Sequence, residues 1–370
     1  MTDEQIGIRR QDGVAAKSPA DAPRPAPIDV TGGNDPSIDE ITAQTPSEPH
    51  YREGNNAWIW DDSGRFHIPR LGVESVGATW ETGRLVHCNV ATPDGRVLTT
   101  WEEGHRPVPV TNGAGRPRVV GAGPIRFECI EPFQRWHVTF DGKLSETTLK
   151  DQIAGRGPAA ILPVDPQPGT VPVSIDLELT SVCPPWFQGS LGGKDYVPGE
   201  HRFEQLFRAQ GRVRIDGEET PFSGGGLRIH RKGGNRTDSA DFFGHCWHSA
   251  FFPSGRAFGF IHYYPRPDGS QKFCEGWALE DGKVVPAEIL DRPWMQNSQV
   301  HDDKFSFVIR TAKGESRVEA RTHASAFAPE RQMRPGVTFP ILQQGIGRYR
   351  CDGEEAYGMI ERATRMEWPA

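Results

Sequence analysis

The sequence predicts an all-β protein made of two similar antiparallel units, and three observations carry that prediction. A nine-residue phrase is written twice: GRVRIDGEE at Gly211–Glu219 and GRYRCDGEE at Gly347–Glu355, with seven identities and an offset of 136 residues. Alternating residues running into Asp-Gly spell a half-buried strand entering a tight turn, so the repetition points to a duplicated structural unit. Second, β-rich stretches alternate with turn signals throughout, in a chain with 42 Gly, 32 Pro, 10 Trp and 19 Phe. Third, no stretch has the spacing of a long, capped amphipathic helix.

The elements follow in order. Residues 1–48 are rich in Pro, Ala, Asp and Gly and poor in apolar residues. Such a tail buries too little to offset its ordering entropy, so it is expected to be disordered or loosely wrapped. Order should begin at HYREGNNAWIW, where Trp58 and Trp60 stand two apart. An N-terminal unit over 49–200 contains FHIPRLGVES, GRLVHCNVATPDGRVLTTW, PIRFECIEPFQRWHVTF and TVPVSIDLELTSV. Within it, RWHVTFDGKL (Arg135–Leu144) reads as a third, weaker strand-to-turn phrase. A C-terminal unit over 201–370 resumes at FEQLFRAQGRVRIDG and ends with the second copy of the repeated phrase. VVGAGPIR at Val119–Arg126 imitates a dinucleotide-binding turn, but that turn needs a third glycine where Arg126 stands, followed by a helix. A Gly-rich hairpin is expected instead.

Composition narrows the function. With 42 Lys+Arg against 49 Asp+Glu the net charge is −7 and no basic patch is concentrated, which argues against nucleic acid as a partner. No apolar run approaches the roughly 18 residues of a spanning helix, and the N-terminus lacks a signal-peptide core, so no membrane partner and a cytoplasmic address are expected. Six scattered cysteines without a Cys-x-x-Cys indicate neither a zinc ribbon nor a disulfide framework. His245-x-x-His248 would suit a metal on a helix, but on a strand the two rings face opposite sides, so no metal is expected. No Gly-x-Ser-x-Gly elbow is present.

The ordered set NNAWIWDDSGRFHIPRLGV, PDGRVLTTW, GPIRFECIEPFQRWHVTFDG, EQLFRAQGRVRIDGEE, GGGLRIHR, GHCWHSAFFPSGRAFG and GRYRCDGEEAYGMIE resembles the AttH-like, carotenoid 1,2-hydratase-like group of calycin-type proteins. It spans about residues 50–365, and the specificity lies in the order of the motifs. The resemblance implies two lipocalin-like barrels or half-barrels in tandem and proton-transfer chemistry on a hydrophobic small molecule without an organic cofactor. The chain departs from the group at Arg228-Ile-His230-Arg231-Lys-Gly-Gly-Asn-Arg236. Arg and His are kept there, but the group's Asp and Trp are lost, so roles tied to that Asp do not carry over.

In a barrel of about eight strands, residues alternate between lumen and exterior, and the lumen can enclose one ligand. His245, Trp247, Ser249 and Phe251 share one parity; Phe258, Phe260, His262 and Tyr264 share another; Phe273, Glu275 and Trp277 a third. These faces predict a greasy pocket with embedded acid/base groups: His245, His262, Tyr264 and Glu275 as acid or base, with Arg228 stabilising an anion. Arg70 (sharing parity with Phe66 and Ile68), His230, Trp58, Trp60, Trp186, Trp247, Phe260 and Trp277 complete the expected substrate wall. Arg231 and Arg236 read as solvated charges. For each residue alone, a hydrogen-bonded or packed core is the competing reading. The function expected is that of a lyase, hydratase, isomerase or cyclase acting on an aromatic or isoprenoid compound. Its narrowest form is a γ-formaldehyde lyase on lignin-derived aromatic dimers; the alternative is a non-catalytic carrier of the same ligand. Whether the chain forms a homodimer is left open.

Overall fold

The computed structural model describes residues 28–160, 169–191, 200–234, 243–265, 268–270, 273–296, 300–334 and 337–364. The N-terminal unit contains β1 (Arg52–Asp61), β2 (His67–Val76), β3 (Arg84–Ala91), β4 (Arg96–Gly104), β5 (Val119–Ala122) and β6 (Ile125–Glu131). It continues with β7 (Arg135–Thr148), the short helix α1 (Leu149–Ile153), β8 (Thr170–Ser181), β9 (Trp186–Phe187) and, past the boundary expected at residue 200, β10 (Glu200–Ile215) and β11 (Glu218–Gly233), which pair with β8 and β1. The C-terminal unit contains β12 (Gly244–Phe251), β13 (Ala257–Tyr263), β14 (Cys274–Glu280), β15 (Lys283–Pro286), β16 (Glu288–Leu290) and β17 (Lys304–Thr311). After these come β18 (Gly314–Ala328), β19 (Arg331–Arg334), β20 (Val337–Phe339), β21 (Ile341–Cys351) and β22 (Glu354–Thr364).

The antiparallel ladder of the N-terminal unit closes on itself. It runs β1-β2-β3-β4, crosses to the end of β7 through Arg96↔Thr148, and returns through β8, β10 and β11 to β1. VVGAGPIR forms the β5–β6 hairpin, added along the first half of β7. In the C-terminal unit the order is β15-β14-β13-β12-β22-β21-β18-β17-β16. Its two edges meet where Ala287 N–H donates to Gly276 O at 2.9 Å, so this sheet is nearly closed. Closing a sheet removes its exposed edges.

The repeated phrase has a topological meaning. Its copies are the β10–β11 and β21–β22 hairpins, the last of each unit, and each closes onto its unit's first strand, β11 on β1 and β22 on β12. Asp216-Gly217 and Asp352-Gly353 all take positive φ (53°, 84°, 49° and 84°), the conformation a two-residue hairpin turn of matching twist requires. The third phrase differs: Asp141-Gly142 lies inside β7, which runs straight through it. A hydrogen bond from Asp141 N–H to Pro124 O (3.1 Å) and continued pairing with β8 extend the strand where local propensity signals a turn.

Strand alternation divides each unit into an interior and a face turned to the other unit. On β1, Ala57 and Ile59 join the N-terminal interior with Leu71, Val86, Phe127 and Val138, while Trp58 and Trp60 point outward. The C-terminal interior is filled by Phe258, Phe260, Phe307, Tyr349 and Ile360. The outward faces of β1 and β11 meet those of β12–β14 and β21–β22 in one apolar cluster that includes Trp58, Trp60, Trp186, Trp247 and Trp277. This seam between the units also buries charge, with Glu74, Arg202, Glu204, Arg231 and Glu361 all buried there. Of the two states expected for the tail, residues 28–48 take the wrapped one, laid against the N-terminal unit as a strap. Residues 1–27 lie outside the described residues.

Candidate active site

Two tryptophans form the centre of the seam, one from each unit. Trp58 and Trp247 meet edge to face at 4.9 Å, and each carries a guanidinium on its ring: Arg70 over Trp58 and Arg202 over Trp247, both at 4.9 Å. Such cation–π contacts hold a buried arginine without consuming its N–H donors.

Carboxylates surround this centre. Glu361 of β22 accepts from Gln344 Nε2 at 3.0 Å, meets His245 Nε2 at 3.2 Å and pairs with Arg70 at 3.4 Å, linking the two units. Arg70 Nε donates to His87 Nε2 at 2.8 Å, and that nitrogen also lies 2.6 Å from Asn56 Oδ1. Asn56 Nδ2 donates to Glu74 (3.0 Å), which is also paired with Arg231. Gly72 makes this crossing possible: a Cβ there would lie 2.0 Å from Asn56 Oδ1 and 2.4 Å from His87 Nε2. Burial and the Arg70 charge keep His87 neutral, far below its ordinary range. Burial raises Glu361 and Glu74, but His245 and Arg70 for the first, and Arg231 and Arg70 for the second, outweigh it and keep both carboxyls low.

Glu204 behaves differently. It is fully buried and accepts from Trp247 Nε1 (3.0 Å), Arg202 Nη2 (3.0 Å) and Gln188 Nε2 (3.4 Å). Burial outweighs these partners and pushes its carboxyl up to about 7. Glu204 therefore exchanges a proton near neutrality, as a general acid or base must. Its cross-strand partner is Trp186, which lines a half-open cleft of about 1260 Å³. The cleft is bounded by the strap at Ile28–Asn34, by Pro184, Pro185 and Leu191, and by hairpin ends of the C-terminal unit.

Of the residues selected from sequence, His245, Trp247, Trp277, Arg70, Trp58, Trp60 and Trp186 are gathered at the seam. Glu275 borders it with both oxygens engaged, accepting from Gly189 N and Leu191 N (2.9 Å each), so it fastens the loop at the cleft and is not a free acid. His262, Phe260 and Tyr264 do not meet His245. Phe252 N–H closes onto Arg256 O, leaving a turn of odd length, and β12 pairs with β13 as His245↔Tyr263 and Cys246↔His262. His245 thus shares its face with Tyr263, while Phe260 and His262 point into the C-terminal interior. Tyr264 stacks on Trp294 at 4.2 Å, at the mouth of that interior. His248 points the same way as His262, so the alternation expected for His245-x-x-His248 holds.

Arg228 and His230 belong to the N-terminal interior, where the strap supplies their anion. Asp39 binds Arg228 through both oxygens (3.0 and 2.9 Å) and meets His230 Nδ1 at 2.9 Å, with Trp136 Nε1 and Phe133 N–H also donating to it. Burial pushes the Asp39 carboxyl up, but Arg228 and His230 outweigh it and hold it at about 2. This closed latch leaves Arg228 no role towards a substrate phenolate. Arg70 does not share a face with Ile68 as the alternation predicted. The ladder slips between His67 and Arg70, turning Arg70 outward to the seam while Ile68 stays inside. Arg231, expected in solvent, is buried against Glu74; Arg236 lies outside the described residues.

Sequence reasoning missed Glu204, Glu361, Glu74, His87 and Asn56. One signal was present for Glu204: in FEQLF it shares parity with Leu206, which belongs to the seam cluster.

The fold is similar to solved structures over nearly its whole length. A protein from Nitrosomonas europaea assigned as an AttH matches with a TM-score of 0.54 at 12% identity, over 87% of this chain and 98% of that one. CghA, solved with Sch210972, matches with a TM-score of 0.56 at 12% identity, over 89% and 95%. Kievitone hydratase from Nectria haematococca matches with a TM-score of 0.50 at 10% identity, over 92% and 97%. The likeness falls on the AttH-like group that the sequence motifs resemble, and at these identities it is a likeness of fold. No curated protein sequence matches the chain. A family profile covers residues 38–366, and the chain belongs to that family, described as Domain of unknown function (DUF7064).

Proposed function

We propose that the seam is the active site of an enzyme that performs general acid/base chemistry, of the hydratase or cyclase kind, on a hydrophobic small molecule and without an organic cofactor. The molecule would enter by the cleft at Trp186 and lie along the aromatic seam. The observation carrying this reading is Glu204, a fully buried carboxyl with its proton poised near pH 7, one residue pair from the cleft wall. The His245–Glu361–Arg70 chain supplies a second proton-handling group and a cation 3.4 Å from its carboxylate. Three buried indole N–H groups without a partner among the described residues, those of Trp58, Trp186 and Trp277, give a substrate hydrogen bonds that the fold leaves unmade. That one fold neighbour is named a hydratase and another was solved with Sch210972 agrees with this class. The narrower form is release of formaldehyde from a lignin-derived aromatic dimer, with His245 as base and Arg70 as anion partner.

The test separates binding from turnover. The purified chain is incubated with hydroxylated phenylcoumaran and stilbene dimers and with prenylated phenols, in D₂O. Mass spectrometry reads water addition and deuterium incorporation, and a colorimetric assay reads formaldehyde. Glu204→Gln should retain the thermal shift given by a bound compound while turnover falls by ~10²–10⁴-fold. Binding without turnover in the unmodified chain across the panel would make the protein a carrier. Formaldehyde release would select the lyase form over water addition.

A further inference from the structure

The seam carries a second, more local arrangement on the C-terminal sheet. Gly259 of β13 faces the seam between Ser249 of β12 and Trp277 of β14, its partners on either side in the ladder. A Cβ built on Gly259 would lie 2.5 Å from Trp277 Nε1 and 2.7 Å from Ser249 Oγ. The two polar atoms therefore flank one point above a glycine. Both are buried, and neither has a hydrogen-bond partner among the described residues. A buried donor left without a partner destabilises the fold, and a ligand atom can supply the missing hydrogen bond.

We propose that Trp277 Nε1 and Ser249 Oγ form a two-donor hole for a carbonyl oxygen, and that the substrate of the seam is a conjugated carbonyl compound. The inference rests on the acid/base reading of the seam and narrows its substrate class. An indole N–H only donates, so the ligand atom facing Trp277 is an acceptor; a serine hydroxyl rotates to donate to the same atom. An oxygen seated outward of the Gly259 point can meet both donors at roughly 2.8–3.1 Å. The surrounding wall is apolar, with Trp60, Trp247 and Ile261 in the same cluster, so charge gathering on that oxygen is stabilised by fixed dipoles with little competition from water.

The hole lies on the same face as the proton-bearing group. Ser249 is two residues along β12 from Trp247, so both face the seam, and Trp247 Nε1 holds Glu204. An aryl enone with its oxygen in the hole would extend its carbon–carbon double bond along that face towards the carboxyl. Hydration then balances without any further reactant. A water oxygen bonds to the β-carbon as its proton passes to ionised Glu204 or to His245. The π pair moves to make an enolate with its charge on the oxygen in the hole. The α-carbon then takes back one proton as the carbonyl reforms. The reverse sequence eliminates water. Gly259 keeps its place in this scheme because any side chain would push both donors aside.

The experiment uses the full chain with benzylideneacetone carrying a ¹³C-labelled carbonyl, and infrared difference spectra of the bound probe. The expected result is a lower carbonyl stretching frequency in the complex, partly reversed in both Trp277→Phe and Ser249→Ala, with about 2- to 10-fold weaker binding in each. Trp277→Phe keeps a ring over Gly259, and circular dichroism checks that each variant is folded. Gly259→Ala, if folded, should abolish the shift. Stilbene, similar in shape but lacking the oxygen, should bind all variants alike. No binding of the probe to the unmodified chain, an unshifted carbonyl band, or a shift in the two single variants as large as in the unmodified chain would overturn the proposal. Its failure is distinguishable from that of the acid/base reading, because the effect of Glu204→Gln on turnover is measured with substrates that need no carbonyl.

Discussion

The N-terminal interior and the seam between the units both bury carboxylates beside arginine and histidine, yet the two arrangements differ in how far they are satisfied. In the interior, Asp39 receives Arg228, His230, Trp136 Nε1 and the Phe133 N–H, and its carboxyl is held at about 2. In the seam, Glu204 is held at about 7 by burial that its three donors do not offset, and the neighbouring indole N–H groups of Trp58, Trp186 and Trp277 have no partner among the described residues. A buried ion that its own chain saturates is part of the architecture. One left near its titration point, beside unmade hydrogen bonds, is available for chemistry.

Asp39→Ala gives the sharpest expected effect on stability. It leaves Arg228 and His230 buried without their anion, and breaking such a pair from one side costs about 3–5 kcal/mol. Denaturant unfolding should show the loss, while turnover per folded molecule stays unchanged. A loss of turnover at full folding would place the latch within the catalytic machinery and dissolve the contrast.

Glu204→Gln should do the opposite. Its folded carboxyl is raised from 4.5 to about 7, so the stability tied to its proton is fully present below pH 4.5 and is lost as pH rises through 7. Above that, ionised Glu204 destabilises the fold by about 3 kcal/mol. The variant should therefore be more stable than the unmodified chain at pH 8, with the difference vanishing near pH 4.5. Equal stability at both pH values would remove Glu204 from the account.

Acid exposes a third difference. Burial keeps His67, His87 and His248 well below 6.5, and burial with the Arg292 charge holds His262 at about 3. Unfolding lets each take a proton, so stability should fall as pH drops below about 6.5, by up to ~1.4 kcal/mol per pH unit for each histidine. A flat stability profile between pH 6.5 and 5 would contradict this.

Gly72→Ala should cost about 1–3 kcal/mol by overpacking, since its Cβ meets Asn56 and His87. Arg350→Ala, on the exposed face of β21 beside the turn of the repeated phrase, should leave the denaturation midpoint nearly unchanged, because its pair with Glu355 is solvated.

The duplication was legible because it is written in local grammar: alternation and Asp-Gly at the same place in both units. Strand parity was legible too, and it grouped His245 with Trp247, and Glu275 with Trp277. What it could not supply was register between strands. The turn after Phe251 has odd length, so His262 and His245 fall on opposite faces although each strand was read correctly. A slip between His67 and Arg70 did the same to Arg70. Asp39 was hidden because a Pro-rich tail gives no local sign of a carboxylate that will be buried 189 residues away from its arginine. Arg231 and Glu204 were missed for a related reason: a charge on a strand reads as solvent-facing unless the partner surface is known, and here that surface is the other unit.

The most direct test is an infrared titration of the Glu204 carboxyl, its protonated band identified by its absence in Glu204→Gln. The account predicts a midpoint near pH 7, moving when a ligand enters the seam. A midpoint near 4.5, untouched by ligand, would make the seam a structural contact like the Asp39 latch.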